Sequence, residues 1–491
     1  KVVNLLTPII ASSIEITTSS AEIVPDLKEK TAATKALLEE KLNINRSWVA
    51  LKHYLTYEQK QAIEELNIKG LGFDEEVVRF YPEASMSAHL LGFVGQDVSG
   101  NPQGYFGLEG YYDRLLQGRG GKVRQETDAS GNPILIGNFS RYSSFDGHTL
   151  NTSINRSAQY QIEKLLKIAL VKYGAVSGSV VVMNPQTGAI IAMANMPTYD
   201  PRIFYKYDSN LHKNTAVADI FEPGSIFKPI IMSSAIDAGV VEPETKCDSC
   251  SQPIVIGQYT IKNWNDKYQP EISMTDTIVH SDNTGMIFAA KKLGEEKLLS
   301  YLDKFGFNKP TGIDLQEEIS GKLKNLKEFR EIDLATTSFG QGIAVTRIQV
   351  IAATNAIANQ GIWVQPYLVE SISDAKKTVP TRQHQSQKVI SPETAEKVKQ
   401  MMIAADDNGE AKWAKPKDIK IAGKTGTAQI PVSGHYDEEK TIASFVGFAP
   451  ANNPKFTMLV TLREPTSSPW GSETAAPLWF EIAKQLLLLD L

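Results

Sequence analysis

The run SGSVVVMNPQTGAIIAMANMP, residues 177–197, constrains the fold of this chain more than any other segment. Two apolar, β-branched stretches flank Asn184-Pro185-Gln186-Thr187-Gly188, and turn residues between such runs predict a tight antiparallel hairpin. Three further strand-like segments come late, in IKIAGKTGTAQI, TIASFVGFAP and KFTMLVTLRE. Helical spacing dominates between them, over 225–239 (stopped by Gly239), 275–305, 345–360 and 392–405, and the chain closes on the helix PLWFEIAKQLLLL. Strands at both ends with helices between them predict an α+β domain, one antiparallel sheet with helices on its faces.

The first part of the chain reads differently. Residues 24–70 carry apolar spacing near 3.6, while 79–121 are rich in glycine and aromatics. The text changes again at Phe145–His148, which places a boundary between a domain at 1–147 and another at 148–491. At 491 residues the chain is long enough for two or three domains and at least one large core. The net charge of −5, with no long basic run, argues against nucleic acid as a partner. Cys247 and Cys250 form a single C-x-x-C pair, which lacks the second pair of a zinc ribbon and reads as a loop disulfide or two free thiols. No apolar run reaches the ~18–20 residues of a membrane-spanning helix. The chain opens at Lys1 without an initiator methionine, so a processed form or fragment is expected, whose missing N-terminus held a signal or anchor.

Three short motifs carry chemistry. In FEPGSIFKP, Pro223-Gly224 supplies a turn, Ser225 opens an apolar helix, and Lys228 lies three residues on, along the same face. A serine beside an amine is either an activated nucleophile or a helix cap next to a lysine. The pattern is cheap, since Ser373 and Lys376 repeat it in a polar stretch. Ser281-Asp282-Asn283 precedes an apolar helix, where such a triplet is normally a cap, and S-x-N recurs at Ser99–Asn101 and Ser130–Asn132. His280 adjoins the triplet, but catalytic triads are assembled in space and not by adjacency. Lys424-Thr425-Gly426-Thr427 follows Gly423 without the spacing of a phosphate loop. A lysine and two hydroxyls along a strand would be available to a carboxylate, and Gly426 would let a ligand approach the backbone.

The ordered set S-x-x-K, S-x-N, K-T-G is that of penicillin-binding proteins and serine β-lactamases. With it, SFGQGIAVT (338–346), RFYP, LGFVG and GLEGYYDRLLQGRGG make the chain resemble a class B penicillin-binding protein over nearly its whole length. The resemblance implies a transpeptidase domain with the serine β-lactamase-like fold, preceded by an elongated, non-catalytic pedestal of the dimerisation type. It implies peptidoglycan D,D-transpeptidation. Ser225 would be the nucleophile, Lys228 its base, Ser281 the proton relay and Asn283 the holder of the substrate amide. Lys424 would be the cation that depresses Lys228, and with Asp282, Thr425, Gly426 and Thr427 would line the substrate site. The backbone N–H groups of Ser225 and Thr427 would form the oxyanion hole.

No metal or organic cofactor is implied. The implied partners are D-Ala-D-Ala stem peptides, β-lactams and a glycan-polymerising membrane protein, at the extracytoplasmic face of a bacterial membrane. Members usually carry an N-terminal anchor and an R-G-x-I-x-D-R-x-G segment, both absent from this sequence, and WGSETAAP has Ser472 where a second glycine is common. NTAVADIFEPGSIFK and VGFAPANNPKFTMLV look closer to division-type than to elongation-type enzymes. A D,D-carboxypeptidase or β-lactamase on the same scaffold, and a non-catalytic β-lactam sensor or wall-assembly scaffold, are the alternatives.

Overall fold

The structure is a computed structural model, and it describes residues 2–11, 27–44 and 48–489, apart from 54, 77, 99, 127–133, 135–138, 382–384 and 433–434. The S-x-N repeat at 130–132, Ser99 of the other repeat, and positions 24–26 and 45–47 of the expected N-terminal helical region lie outside these residues. The chain divides into two compact units, residues 1–80 and 81–491.

The first unit contains helices Val2–Ala11, Leu27–Leu42 and Tyr57–Glu65. Leu6, Ile10, Leu38 and Ile63 make its small core. Thr56 and Gln59 form a reciprocal capping box at the third helix, satisfying two N–H groups that the helix start would leave unpaired.

The second unit is built on a five-stranded antiparallel sheet. Its strands are β1 (Ser177–Met183), β2 (Ile190–Met196), β3 (Ala422–Val432), β4 (His435–Ala449) and β5 (Phe456–Arg463), in the order β3-β4-β5-β1-β2. The expected hairpin is β1–β2. Asn184 Oδ1 accepts the N–H groups of Gln186 and Thr187, and Gly188 takes φ +85°, a conformation that costs glycine little. Period-2 alternation feeds two cores. Val180 and Val182 join Phe445, Trp479 and Phe480 on one face, while Val181 and Met183 join Ile226, Phe227, Val446 and Phe448 on the other. Because both faces are covered, β1 reads as a continuous apolar run rather than an alternating one.

Helices α1 (Arg156–Tyr173) and α6 (Ala475–Leu488) cover the first face, through Ile162, Leu166, Trp479 and Ile482. The second face carries the helical lobe, with α2 (Lys228–Asp237), α3 (Met274–Val279), α4 (Asn283–Leu293) and α5 (Pro392–Asn408). The single helix expected over 275–305 is instead three: α3, α4 and a further helix at Glu295–Lys304. Ser281 at φ +55° and Gly294 at φ +82° make the breaks, since neither backbone can continue a right-handed helix. Among the described residues no helix is long and apolar enough to cross a membrane.

Residues 81–147 belong to the second unit and are bonded to the part of it that follows residue 147. Ser87 N–H donates to Glu163 (2.7 Å), Arg156 pairs with Glu83, and Tyr199 OH donates to the Ala88 carbonyl. Tyr112 OH donates to Asp314, whose carboxylate also accepts the N–H groups of Leu368 and Val369. The compact units thus divide near 80, whereas the composition of the sequence changes near 147. Cys247 and Cys250 are joined by a disulfide, and both are buried.

Candidate functional site

Ser225 does not open an α-helix. A 3-10 turn covers Gly224–Phe227 and α2 begins at Lys228, with Pro229 in its first turn, where a missing N–H costs least. In a 3-10 turn, as in an α-helix, residues i and i+3 lie along one edge, so Ser225 and Lys228 stay on the same side. Phe227 stands at the N-cap position of α2 and makes no side-chain cap, so Ser225 is not spent as a helix cap. Its side chain is partly exposed, and among the described residues no hydrogen bond joins it to Lys228.

Two glycines allow this turn. Gly224, at φ +57°, donates its N–H to the Gly340 carbonyl (2.9 Å). Gly340, in SFGQG, has φ +81°, and a β-carbon there would sit 2.2 Å from the Gly224 carbonyl oxygen. Any side chain at 340 would push the Ser225 turn away from its support.

Lys228 is fully buried. Its Nζ donates to the Ser281 carbonyl (2.5 Å), Asn283 Oδ1 (2.8 Å) and Ser281 Oγ (3.2 Å). Burial in the helical lobe pushes its pKa well below the ordinary lysine range. The nearby Lys424 pushes it down further, and Asp282 and Glu410 partly oppose the shift. Ser281 holds the left-handed backbone conformation noted above, rare for a non-glycine residue and typical of strained functional positions. That conformation turns both its carbonyl and its hydroxyl toward the amine.

Asn283 is the first residue of α4. Its Nδ2 donates to the Lys262 carbonyl, and its N–H is taken by Asn263 Oδ1. Asp282, expected at the substrate, is the N-cap of α4. Its buried carboxylate accepts from Thr284 Oγ1, Gly285 N–H and Asn263 Nδ2, which leaves it spent on the fold. Asn263, which the sequence reading missed, therefore anchors both Asp282 and Asn283. His280 is exposed, and its carbonyl accepts from Trp264 Nε1.

The third motif lies on β3, an edge strand of the sheet. Lys424 and Gly426 fall on one face by period 2, Thr425 and Thr427 on the other. Lys424 is buried, and its amine reaches round the strand to Thr425 Oγ1 and the Thr425 carbonyl, both at 3.2 Å. Burial lowers its pKa too, and Glu410 opposes the shift.

Gly426 makes room for neighbouring protein atoms. A β-carbon there would stand 2.8 Å from Ile226 Cγ2 and 2.5 Å from Ser444 Oγ, so the glycine seats β3 against the Ser225 turn. Thr427 Oγ1 accepts the N–H of Gly471 (3.0 Å), and a β-carbon on Gly471 would meet the Gly426 carbonyl at 2.2 Å. In WGSE close packing thus demands a glycine at 471. Trp264 and Trp470 meet edge to face at 5.3 Å, joining the S-D-N side of the cleft to the K-T-G side. Neither tryptophan was singled out from sequence. The repeat at Ser373 is elsewhere, at the end of strand Val369–Ser373, with its hydroxyl bonded to Asn151 and Thr378.

Three separate segments thus converge on one buried amine beside a partly exposed serine hydroxyl. Once neutral, such an amine can take a proton from that hydroxyl, and the second lysine is a fixed cation for an anion at the strand edge.

The chain matches known proteins over most of its length. Residues 178–487 match the penicillin binding protein transpeptidase domain, and residues 2–152 the penicillin-binding protein dimerisation domain. The chain is 33% identical over 438 residues to stage V sporulation protein D of Bacillus subtilis, covering 88% of this chain and 67% of that one. It is 30% identical over 448 residues to peptidoglycan D,D-transpeptidase FtsI of Escherichia coli, covering 90% and 73%. Among solved structures, penicillin-binding protein 3 of Mycobacterium tuberculosis superposes with a TM-score of 0.74 at 28% identity, covering 84% of this chain and 91% of that one. That protein has also been solved with aztreonam and with ampicillin. With the transpeptidase domain spanning most of its length and the dimerisation domain ahead of it, this chain belongs to the penicillin-binding protein family.

Proposed function

We propose that the chain is a penicillin-sensitive peptidoglycan D,D-transpeptidase working through a Ser225 acyl-enzyme. The observation that carries this reading is the fully buried Lys228 amine, bonded to Ser281 and Asn283 one 3-10 turn from Ser225. Neutral Lys228 takes the Ser225 hydroxyl proton as Oγ attacks the carbonyl of the penultimate D-Ala. The N–H groups of Ser225 and Thr427 hold the oxyanion, a contribution of about 3–4 kcal/mol per donor in comparable acyl-transfer enzymes. Ser281 passes the proton to the departing D-Ala nitrogen, and the C–N bond breaks. Asn283 holds the substrate amide, and Lys424, Thr425 and Thr427 bind the terminal carboxylate. An amine on a neighbouring stem then attacks the ester, returning the proton to the serine by the same route.

Residues 1–147 serve as the non-catalytic pedestal. The match to a dimerisation domain favours this reading over a free-standing β-lactamase. Benzylpenicillin should add one acyl group to the protein, and peptide mapping of the adduct by mass spectrometry should place it on the Ser225 peptide. An adduct on another peptide, or none, overturns the assignment. A thioester stem mimic with an added amine separates the alternatives, because aminolysis identifies a transpeptidase, hydrolysis alone a carboxypeptidase, and no turnover a sensor.

The cellular setting we propose is the extracytoplasmic face of the membrane, beside a glycan-polymerising partner, in division. Relatives named FtsI support the division role. A tagged full-length protein should collect at the septum, and uniform lateral-wall labelling would count against that role.

A further inference from the structure

Glu410 lies two residues beyond α5, in a turn that the three motifs do not include. Gly409 permits the turn, since a β-carbon there would stand 2.2 Å from the Ala405 carbonyl and 3.2 Å from that of Val279, at the end of α3. The turn is also tied back to α5. The Lys415 amine lies 3.0 Å from the buried carboxylate of Asp406 and also contacts Asp407. A loop closed at both points presents Glu410 to β3, where its Oε2 accepts the Thr425 hydroxyl at 3.1 Å.

This contact changes what the K-T-G strand can offer a ligand. Thr425 has one hydroxyl proton, and it is given to Glu410; its oxygen already accepts from Lys424. A second carboxylate reaching for Thr425 must displace the first. Glu410 also offsets part of the Lys424 charge that an anion would seek.

We propose that Glu410 is a positioning and specificity-setting residue of the anion end of the cleft, competing with the bound carboxylate for the Thr425 hydroxyl. It keeps that end from holding carboxylates too tightly, which suits a reaction whose leaving group, free D-Ala, departs with its carboxylate. The inference rests on the reading of Lys424 and Thr425 as carboxylate binders given above.

A matched pair of serine-directed boronic acids tests it on the full chain: 3-carboxyphenylboronic acid and its neutral 3-carboxamide counterpart, each measured by protection against a fluorescent penicillin. Glu410→Gln should tighten the carboxylate inhibitor about fivefold to tenfold, as expected for removing one competing, partly screened charge, and move the carboxamide less than twofold. Glu410→Asp, which keeps the charge, should leave the carboxylate inhibitor within about twofold of wild type. A merely structural role would move both inhibitors together. Equal shifts in the pair, weaker carboxylate binding by the Gln variant, or tightening by the Asp variant equal to that by Gln overturns the proposal. If wild type labels at Ser225 and the Gln variant shows no selective gain, only the Glu410 inference fails. If wild-type Ser225 does not label, the site reading itself fails.

Discussion

Ser225→Ala should abolish covalent labelling by a fluorescent penicillin, with acylation falling on the order of a millionfold, as when the nucleophile is removed from other serine acyl-transfer enzymes. The size of the effect follows from the absence of a substitute. Ser281 is buried, held in a strained conformation, and bonded to the same amine that would have to activate it. Ser373 is fixed by Asn151 and Thr378 on another sheet. The variant should also fold as well as wild type. Ser225 caps no helix, and alanine fits a 3-10 turn, so the melting temperature should stay within a few degrees. Loss of labelling with an unchanged thermal transition is therefore the expected pair of results. Labelling that survives the substitution removes Ser225 from the nucleophile's role.

The elements legible in the sequence were those set by periodicity. The β1–β2 hairpin, the late strands β3 to β5, α5 and the closing α6 follow from alternating or 3.6-residue spacing with clear punctuation. The same spacing could not separate a 3-10 turn from an α-helix at Ser225, because i and i+3 share an edge in both. It could not show the break at Ser281 either, where tertiary bonds from Lys228 support a backbone conformation that local propensity disfavours.

Asp282 sat inside a catalytic-looking triplet, yet its position before an apolar helix was already the signature of an N-cap, and the cap is what it forms. Asn263 and Glu410 were invisible for a different reason. Each contributes through one side chain brought in by the fold from outside the motifs, and neither lies in a pattern that chemistry demands locally. The only sequence hint at Glu410 was a glycine following a helix with acidic residues in its last turn.

Lys228→Arg should slow acylation by about a hundredfold to ten-thousandfold, the range lost when a positioned general base is removed. Arginine keeps N–H donors to offer Ser281 and Asn283, but it stays protonated at any workable pH and cannot take the serine proton. A merely structural lysine would tolerate the exchange far better, so retention of more than a tenth of the wild-type rate would rule out the base assignment. The wild-type pH profile carries the complementary prediction. Ordinary lysine titrates near ~10.4, and burial first, then the Lys424 charge, hold Lys228 well below that. The acylation rate should therefore rise with pH through this depressed value and level off before the ordinary lysine range. Lys424→Met removes the second of the two causes and should move the rising limb to higher pH, whatever it does to the absolute rate; a limb that stays in place disproves the coupling of the two lysines. Stability must share the signature. Between the depressed native pKa and the ordinary one, the unfolded chain holds a proton on residue 228 that the native protein does not, so this group's penalty on the fold is full below the native value and fades as pH rises through that window. In the proposed mechanism, the buried amine that offers Ser225 a neutral base is thus maintained at the expense of stability, as expected where a charged group is desolvated for function and not for packing.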